Sequence, residues 1–205
     1  MEGYKKIQGT FGMLRKEEKN MLIDITLKIT LKMLADAQEN GKKELVGHLG
    51  THFDVMNKEF PLEYTKRKGI IFDVSKQCDR EIEVEDIAIE KVEKDMFVVF
   101  YTGYSDREEY GSKKYFSEHP QLSERLIEAL LEKKISMIGL DFGGVRRGAE
   151  HTPKDQYYAD RGVFIIENLC NLKAVLEKSN TCIINTYPMN CVGITGLPCR
   201  VIVEV

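Results

Sequence analysis

Between Met21 and Lys32 apolar and polar side chains alternate in MLIDITLKITLK, a period of two that predicts a strand with one buried face. Met33 to Asn40 reads as a short helix or loop closed by Asn40-Gly41. Lys68 to Val74 (KGIIFDV) is a short apolar run that fits a buried strand. Val84 to Val92 predicts a short helix. Asp95 to Thr102 (DMFVVFYT) is the strongest strand signal, with valines and aromatics in succession. Ser123 to Lys134 has helical spacing, with Ser123 as N-cap and Lys133 and Lys134 suited to the C-terminal end. Ile135 to Leu140 and Val163 to Ile166 predict buried strands. A helix follows around Leu172 to Lys178, then strands at Thr181 to Tyr187 and Val201 to Val205. Strands and helices mix without strict alternation. The pattern therefore predicts a sheet-rich α/β domain and leaves strand order open.

Size and composition narrow the class. The 205 residues suit one domain, with residues 1–21 as a charged N-terminal extension and 22–205 as the folded unit. A net charge of −3 offers no general attraction for phosphate backbones, so no nucleic-acid role is expected. No apolar run approaches the roughly 20 residues that span a bilayer. The N-terminus lacks the apolar stretch of a signal peptide. A cytoplasmic protein with no membrane role is expected. The five cysteines, at 78, 170, 182, 191 and 199, show no CxxC spacing and read as reduced thiols serving as small apolar filler.

One segment concentrates chemistry. His48, His52 and Asp54 fall within seven positions, although the chain has only four histidines, at 48, 52, 119 and 151. Imidazole and carboxylate are common ligands of Zn²⁺ and Mn²⁺. Gly47, Gly50 and Thr51 oppose a helix, so a turn followed by extended chain is predicted. His52 and Asp54, two apart, then point to one side, and Gly50 lets His48 fold back toward them. On spacing alone two readings stand: a three-ligand metal corner with open positions, or a core histidine beside a turn-capping Asp54.

HLGTHFD resembles the HxGTHxD signature of the cyclase family of metal-dependent hydrolases, which includes kynurenine formamidase and isatin hydrolase. The resemblance runs on in order. It takes in Ile23-Asp24-Ile25-Thr26, the strand ending in Thr102-Gly103, Tyr115-Phe116 with His119-Pro120 and Leu122-Ser123, and Ile138-Gly139-Leu140-Asp141. Gly162 to Leu172 (GVFIIENLCNL) and Pro198-Cys199-Arg200-Val201 complete it. It implies a swivelling β/β/α fold with a mixed, sheet-rich core and assembly as a homodimer or homotetramer. The implied activity is hydrolysis of a small molecule with a carbonyl C–N or C–O bond, such as an arylformamide, lactam or lactone. It also implies one or two divalent ions, Zn²⁺ or Mn²⁺, on His48, His52 and Asp54, with Glu167 as a further ligand.

The chain departs from the family pattern in two segments. Where the longer signature HxGTHxDxPxH ends in an acid/base His, this chain has Lys58, with Met56 in place of the Pro. Lys58 is therefore the candidate for proton transfer or for binding a substrate anion. The second departure puts Asp155 where the family has another metal-binding His. Carboxylate still suits either ion, and His151 is the alternative ligand, against its reading as a solvated loop residue. The segment from Asp141 to Gln156 reads as a loop, with Asp141 lining the pocket and Arg146 and Arg147 placed for a substrate carboxylate or for solvent. His119 reads as part of a turn before Pro120. These departures leave a second class of function in view, a metal-dependent binding protein without turnover.

Overall fold

The computed structural model describes residues 21–39, 47–77 and 79–205. The predicted extension, apart from Met21, and Asn40-Gly41 lie outside the described residues, as does Cys78. The strands are β1 (Leu22–Asp24), β2 (His52–Asp54), β3 (Lys66–Asp73), β4 (Phe97–Tyr101), β5 (Met137–Leu140), β6 (Phe164–Glu167), β7 (Thr181–Pro188) and β8 (Gly196–Glu204). They form one mixed sheet in the order β1-β8-β2-β6-β5-β4-β3-β7. An additional β7–β8 pairing closes seven of them into a ring and leaves β1 on the outer edge of β8. β3, β4, β5 and β6 run parallel, while β2 lies antiparallel between β6 and β8. The mixed, sheet-rich α/β fold is thus as expected.

Side-chain alternation divides the ring into two faces. Phe53, Ile71, Phe97, Val99, Met137, Phe164, Ile166, Ile184 and Val201 pack into one core, to which every strand from β2 to β8 contributes. Their neighbours Ile70, Val98, Phe100, Ile138, Leu140 and Ile165 pack the other way. There they meet the helix Glu124–Glu132 through Leu126, Ile127 and Leu130. Burying each such side chain stabilises the fold by roughly 1.5–3 kcal/mol. Ser123 caps that helix as expected, accepting from Leu126 N at 3.2 Å.

Three local readings change. The alternation over 21–32 continues as a strand only to Asp24. Beyond it the Val201 N–H and C=O bond to the Thr26 hydroxyl, and Leu27 N donates to Thr51 Oγ1. Thr30 then starts a helix at Leu31–Glu39, accepting from Met33 N. Over 84–92 the chain makes two short 3₁₀ turns, Val84–Asp86 and Ile89–Lys91, because Ile87 between them is extended. The predicted loop at 141–156 holds a helix, His151–Ala159. It carries no apolar stripe on its early turns, since the face it buries there is polar. Pro153 sits in its first turn, where its missing N–H costs nothing.

His119 is buried in the turn before Pro120, as expected. Its Nδ1 is 2.7 Å from Pro120 O, and its ring stacks on Phe142 with centroids 5.3 Å apart. Burial holds its imidazole down at about 4, and Nε2 has no hydrogen-bond partner. The unfolded chain takes up this proton near the ordinary 6.5, the folded chain only near 4. The stability due to neutral His119 is therefore present above pH 6.5 and lost as pH falls toward 4, by about 3 kcal/mol in all. His119→Phe keeps the stack and should flatten that loss. Denaturant unfolding across this window checks it; parent and variant weakening in parallel would refute the assignment.

Candidate metal centre

β2 is only three residues long, yet all three are buried. Phe53 points into the ring's core, so His52 and Asp54 emerge together on the opposite face. The register sets His52 beside Glu167 on one flank and Pro198 on the other. Before β2 the chain turns through Gly50, whose φ of +68° only glycine adopts at no steric cost. Gly47 lies so close to Gly196 that a Cβ on Gly196 would stand 2.9 Å from the Gly47 carbonyl and from His48 Cδ2. The turn thus lies against the start of β8, and His48 folds back over β2 as the sequence suggested.

The three side chains converge. His48 Nδ1 lies 2.9 Å from His52 Nε2 and 3.1 Å from Asp54 Oδ1, and His52 Nε2 lies 3.4 Å from the same oxygen. The far nitrogens are occupied: His48 Nε2 meets Thr195 Oγ1 at 2.8 Å, and His52 Nδ1 meets Gly50 O at 2.9 Å. The two histidines therefore present opposite nitrogens, Nδ1 and Nε2, to one point.

A second group adjoins the first. His151 Nε2 is 3.1 Å from Asp155 Oδ2 and 3.3 Å from Glu167 Oε1, while Glu167 Oε2 is 3.5 Å from His52 Nε2. Ligand atoms of His48, His52 and Asp54 lie within 4.8 Å of one another, and so do those of Asp54, His151 and Asp155. Asp54 belongs to both groups. His151 and Asp155 are one helical turn apart and face the same way. His151 is thus on a helix, aimed at Glu167, rather than a solvated loop residue. Its i, i+4 spacing from Asp155 was the available signal, and the missing apolar stripe hid the helix that gives this spacing meaning.

Charge explains why these groups suit a cation. Asp54 Oδ2 and Asp155 Oδ1 are buried without a hydrogen-bond partner, and the buried Asp54 Oδ1 and Glu167 Oε1 face only imidazole nitrogens. Burial and the Asp54 charge push the Asp155 carboxyl up to about 8 and raise that of Glu167. Burial alone would keep His52 neutral, but Asp54 and Glu167 outweigh it and draw a proton there up to about 9. Burial likewise opposes the proton on His151, which Asp155 and Glu167 nevertheless raise to about 11. Without a metal, then, protons balance three buried carboxylates. A divalent ion would displace them, and His/Asp/Glu donors fit Zn²⁺ or Mn²⁺.

Residues 23–146, more than half of the chain, match the family model described as "Putative cyclase". The chain belongs to the cyclase family. Three similar solved structures place its fold. A potential metal-dependent hydrolase with cyclase activity is 27% identical over 90% of this chain and 98% of its own, with a TM-score of 0.72. A predicted metal-dependent hydrolase from Bacillus stearothermophilus is 23% identical over the same shares, with a TM-score of 0.68. Isatin hydrolase A from Labrenzia aggregata, bound to benzyl benzoate, is 23% identical over 77% of this chain and 73% of its own, with a TM-score of 0.66. No curated protein matches the chain.

Other candidate residues of this cyclase-family chain lie elsewhere. Lys58 Nζ pairs with Asp160 at 2.7 Å, with 38% of its side chain exposed, rather than with a group of the cluster. Lys58 lines a cavity of about 770 Å³ whose apolar wall includes Val55, Met56, Phe60 and Ile194. Thr195, the partner of His48, lines the same cavity, so it adjoins the metal groups. Asp141 does not line a pocket. It is fully buried and accepts from the N–H groups of Thr102 and Tyr104 and from Thr102 Oγ1, tying β5 to the end of β4. Arg146 is no substrate clamp either, since Glu81, Glu150 and the Leu122 carbonyl hold it. Arg147 donates to Ser117 O. Cys170, Cys182, Cys191 and Cys199 are free thiols. Among the described residues no helix is long and apolar enough to cross a membrane.

Proposed function

We propose that this protein is a metal-dependent hydrolase acting on a carbonyl C–N or C–O bond, in an arylformamide, lactam or lactone. The observation that carries this reading is the convergence of His48, His52 and Asp54, with Asp54 shared by a second group formed with His151 and Asp155. When bound there, Zn²⁺ or Mn²⁺ supplies Lewis-acid activation of water and carbonyl. His48 and His52 offer their inward nitrogens, Asp54 its two buried oxygens, and Glu167 with Asp155 and His151 a second set of donors. The apolar cavity next to Thr195 suits an aromatic or aliphatic substrate body. We assign Lys58, on the cavity wall, to binding a substrate anion. Assembly as a homodimer or homotetramer in the cytoplasm belongs to the same proposal.

The test is a panel of arylformamides, lactams and lactones with Zn²⁺- or Mn²⁺-loaded protein, followed by pH-stat. Turnover that disappears on chelation supports the reading, and a fully loaded protein inert across the panel overturns it. Lys58→Met should raise KM for an anionic substrate about fivefold at unchanged kcat, the modest worth of a part-exposed charge pair. A specific observation favours a second reading, a metal-dependent binding protein. The position of the family's acid/base His holds a lysine already paired with Asp160. Tight binding of an aromatic carboxylate without turnover would select it.

A further inference from the structure

Behind His52 lies a buried polar chain that the hydrolase reading does not use. The Gly50 carbonyl accepts from His52 Nδ1 and from Asn168 Nδ2, both at 2.9 Å. The Gly50 carbonyl can only accept, which turns the amide nitrogen of Asn168 toward it and leaves Oδ1 to accept from the Tyr115 hydroxyl at 2.9 Å. The Gly50 N–H donates to the Tyr110 hydroxyl at 2.8 Å. Thr51 Oγ1 donates to the Asn168 carbonyl at 2.8 Å, binding the two segments a second time. Tyr115 is 1% exposed and Asn168 2%. Buried polar groups add little to stability against apolar ones of the same shape, so a network this complete calls for another role. Gly50 supplies the reason. With no side chain, its peptide is the softest link before His52, and here both of its polar groups are pinned.

We infer that Asn168 and Tyr115 are positioning residues. They hold the Gly50 carbonyl on His52 Nδ1, so that the proton stays on Nδ1 and Nε2 is the nitrogen turned toward Asp54. The part of this that concerns metal affinity rests on the hydrolase reading; the lock on the Nδ1 proton does not. Asn168 sits at φ +59°, a conformation that Asn and Asp both tolerate. Asn168→Asp therefore keeps the backbone but sets a carboxylate oxygen against the Gly50 carbonyl, and Tyr115→Phe removes only the outer donor.

Two readouts test it. In metal-free protein, proton NMR follows exchange of the His52 Nδ1 proton with water, which should quicken at least tenfold in Asn168→Asp and less in Tyr115→Phe. Zn²⁺ titration should show affinity falling about 10–100-fold in Asn168→Asp, as for other groups that orient a metal-binding imidazole. Exchange unchanged in both variants overturns the inference, even if affinity falls, because the loss would then come from general loosening. Should Asn168→Asp fail to fold, Tyr115→Phe decides alone. If the parent protein takes up no Zn²⁺, the hydrolase reading fails while proton exchange still judges this one.

Discussion

Asp54→Ala should leave the protein without bound metal, whereas Asp155→Ala should keep about one equivalent. The difference follows from topology. Asp54 stands on β2 between the groups, and its oxygens lie within reach of His48 and His52 on one side and of His151 and Asp155 on the other. Both oxygens are buried, Oδ1 faces only the two imidazoles and Oδ2 has no partner, so neither is committed to the fold outside the site. Asp155 serves only the second group, from the Tyr158 side of its helix. Elemental analysis of the two variants beside the parent protein checks this. An Asp54→Ala protein that still holds one equivalent would show that the groups act independently.

Chelation should lower the unfolding midpoint by about 8–16 °C. An ion present at about a thousand times its Kd contributes about 4 kcal/mol to the native state, and each kcal/mol moves the midpoint about 2–4 °C in a chain this long. The shift should vanish in Asp54→Ala. It should also depend on pH, with a definite sign. In the metal-free protein His52 holds a proton up to about 9. Below that pH the ion has to displace it, so apparent affinity falls by up to about tenfold per unit of acidification. Differential scanning calorimetry with and without a chelator, at several pH values, measures both effects. A midpoint indifferent to chelator and pH would remove the metal from the account of stability.

The sequence carried much of this structure because several segments obey a single local rule. Phe97–Tyr101 is a strand of β-branched and aromatic residues, and its first four are buried. Ser123 caps because its hydroxyl meets Leu126 N at the position spacing demands. His52 and Asp54 share a face because two residues apart on a strand always do. Other features escaped for physical reasons. The helix His151–Ala159 buries Asp155 toward the site, so its inward face carries no apolar period. The alternation past Asp24 runs on after the strand's pairing with β8 has ended. Arg146 looked available for a ligand, yet Glu81, far away in sequence, neutralises it. Such long-range partners leave no local trace.

The placement of β2 also has a consequence for kinetics. Its two neighbours, β6 and β8, come far later in the chain, so His52 gains its strand partners only when the ring closes. Contacts between distant segments form late, after their loop entropy has been spent. An ion bridging residues 48–54 and 151–167 would then contribute little at the transition state and fully in the native state. By that logic metal should scarcely alter the rate of folding and should instead lengthen the life of the folded molecule, slowing the first separation of β2 from its partners.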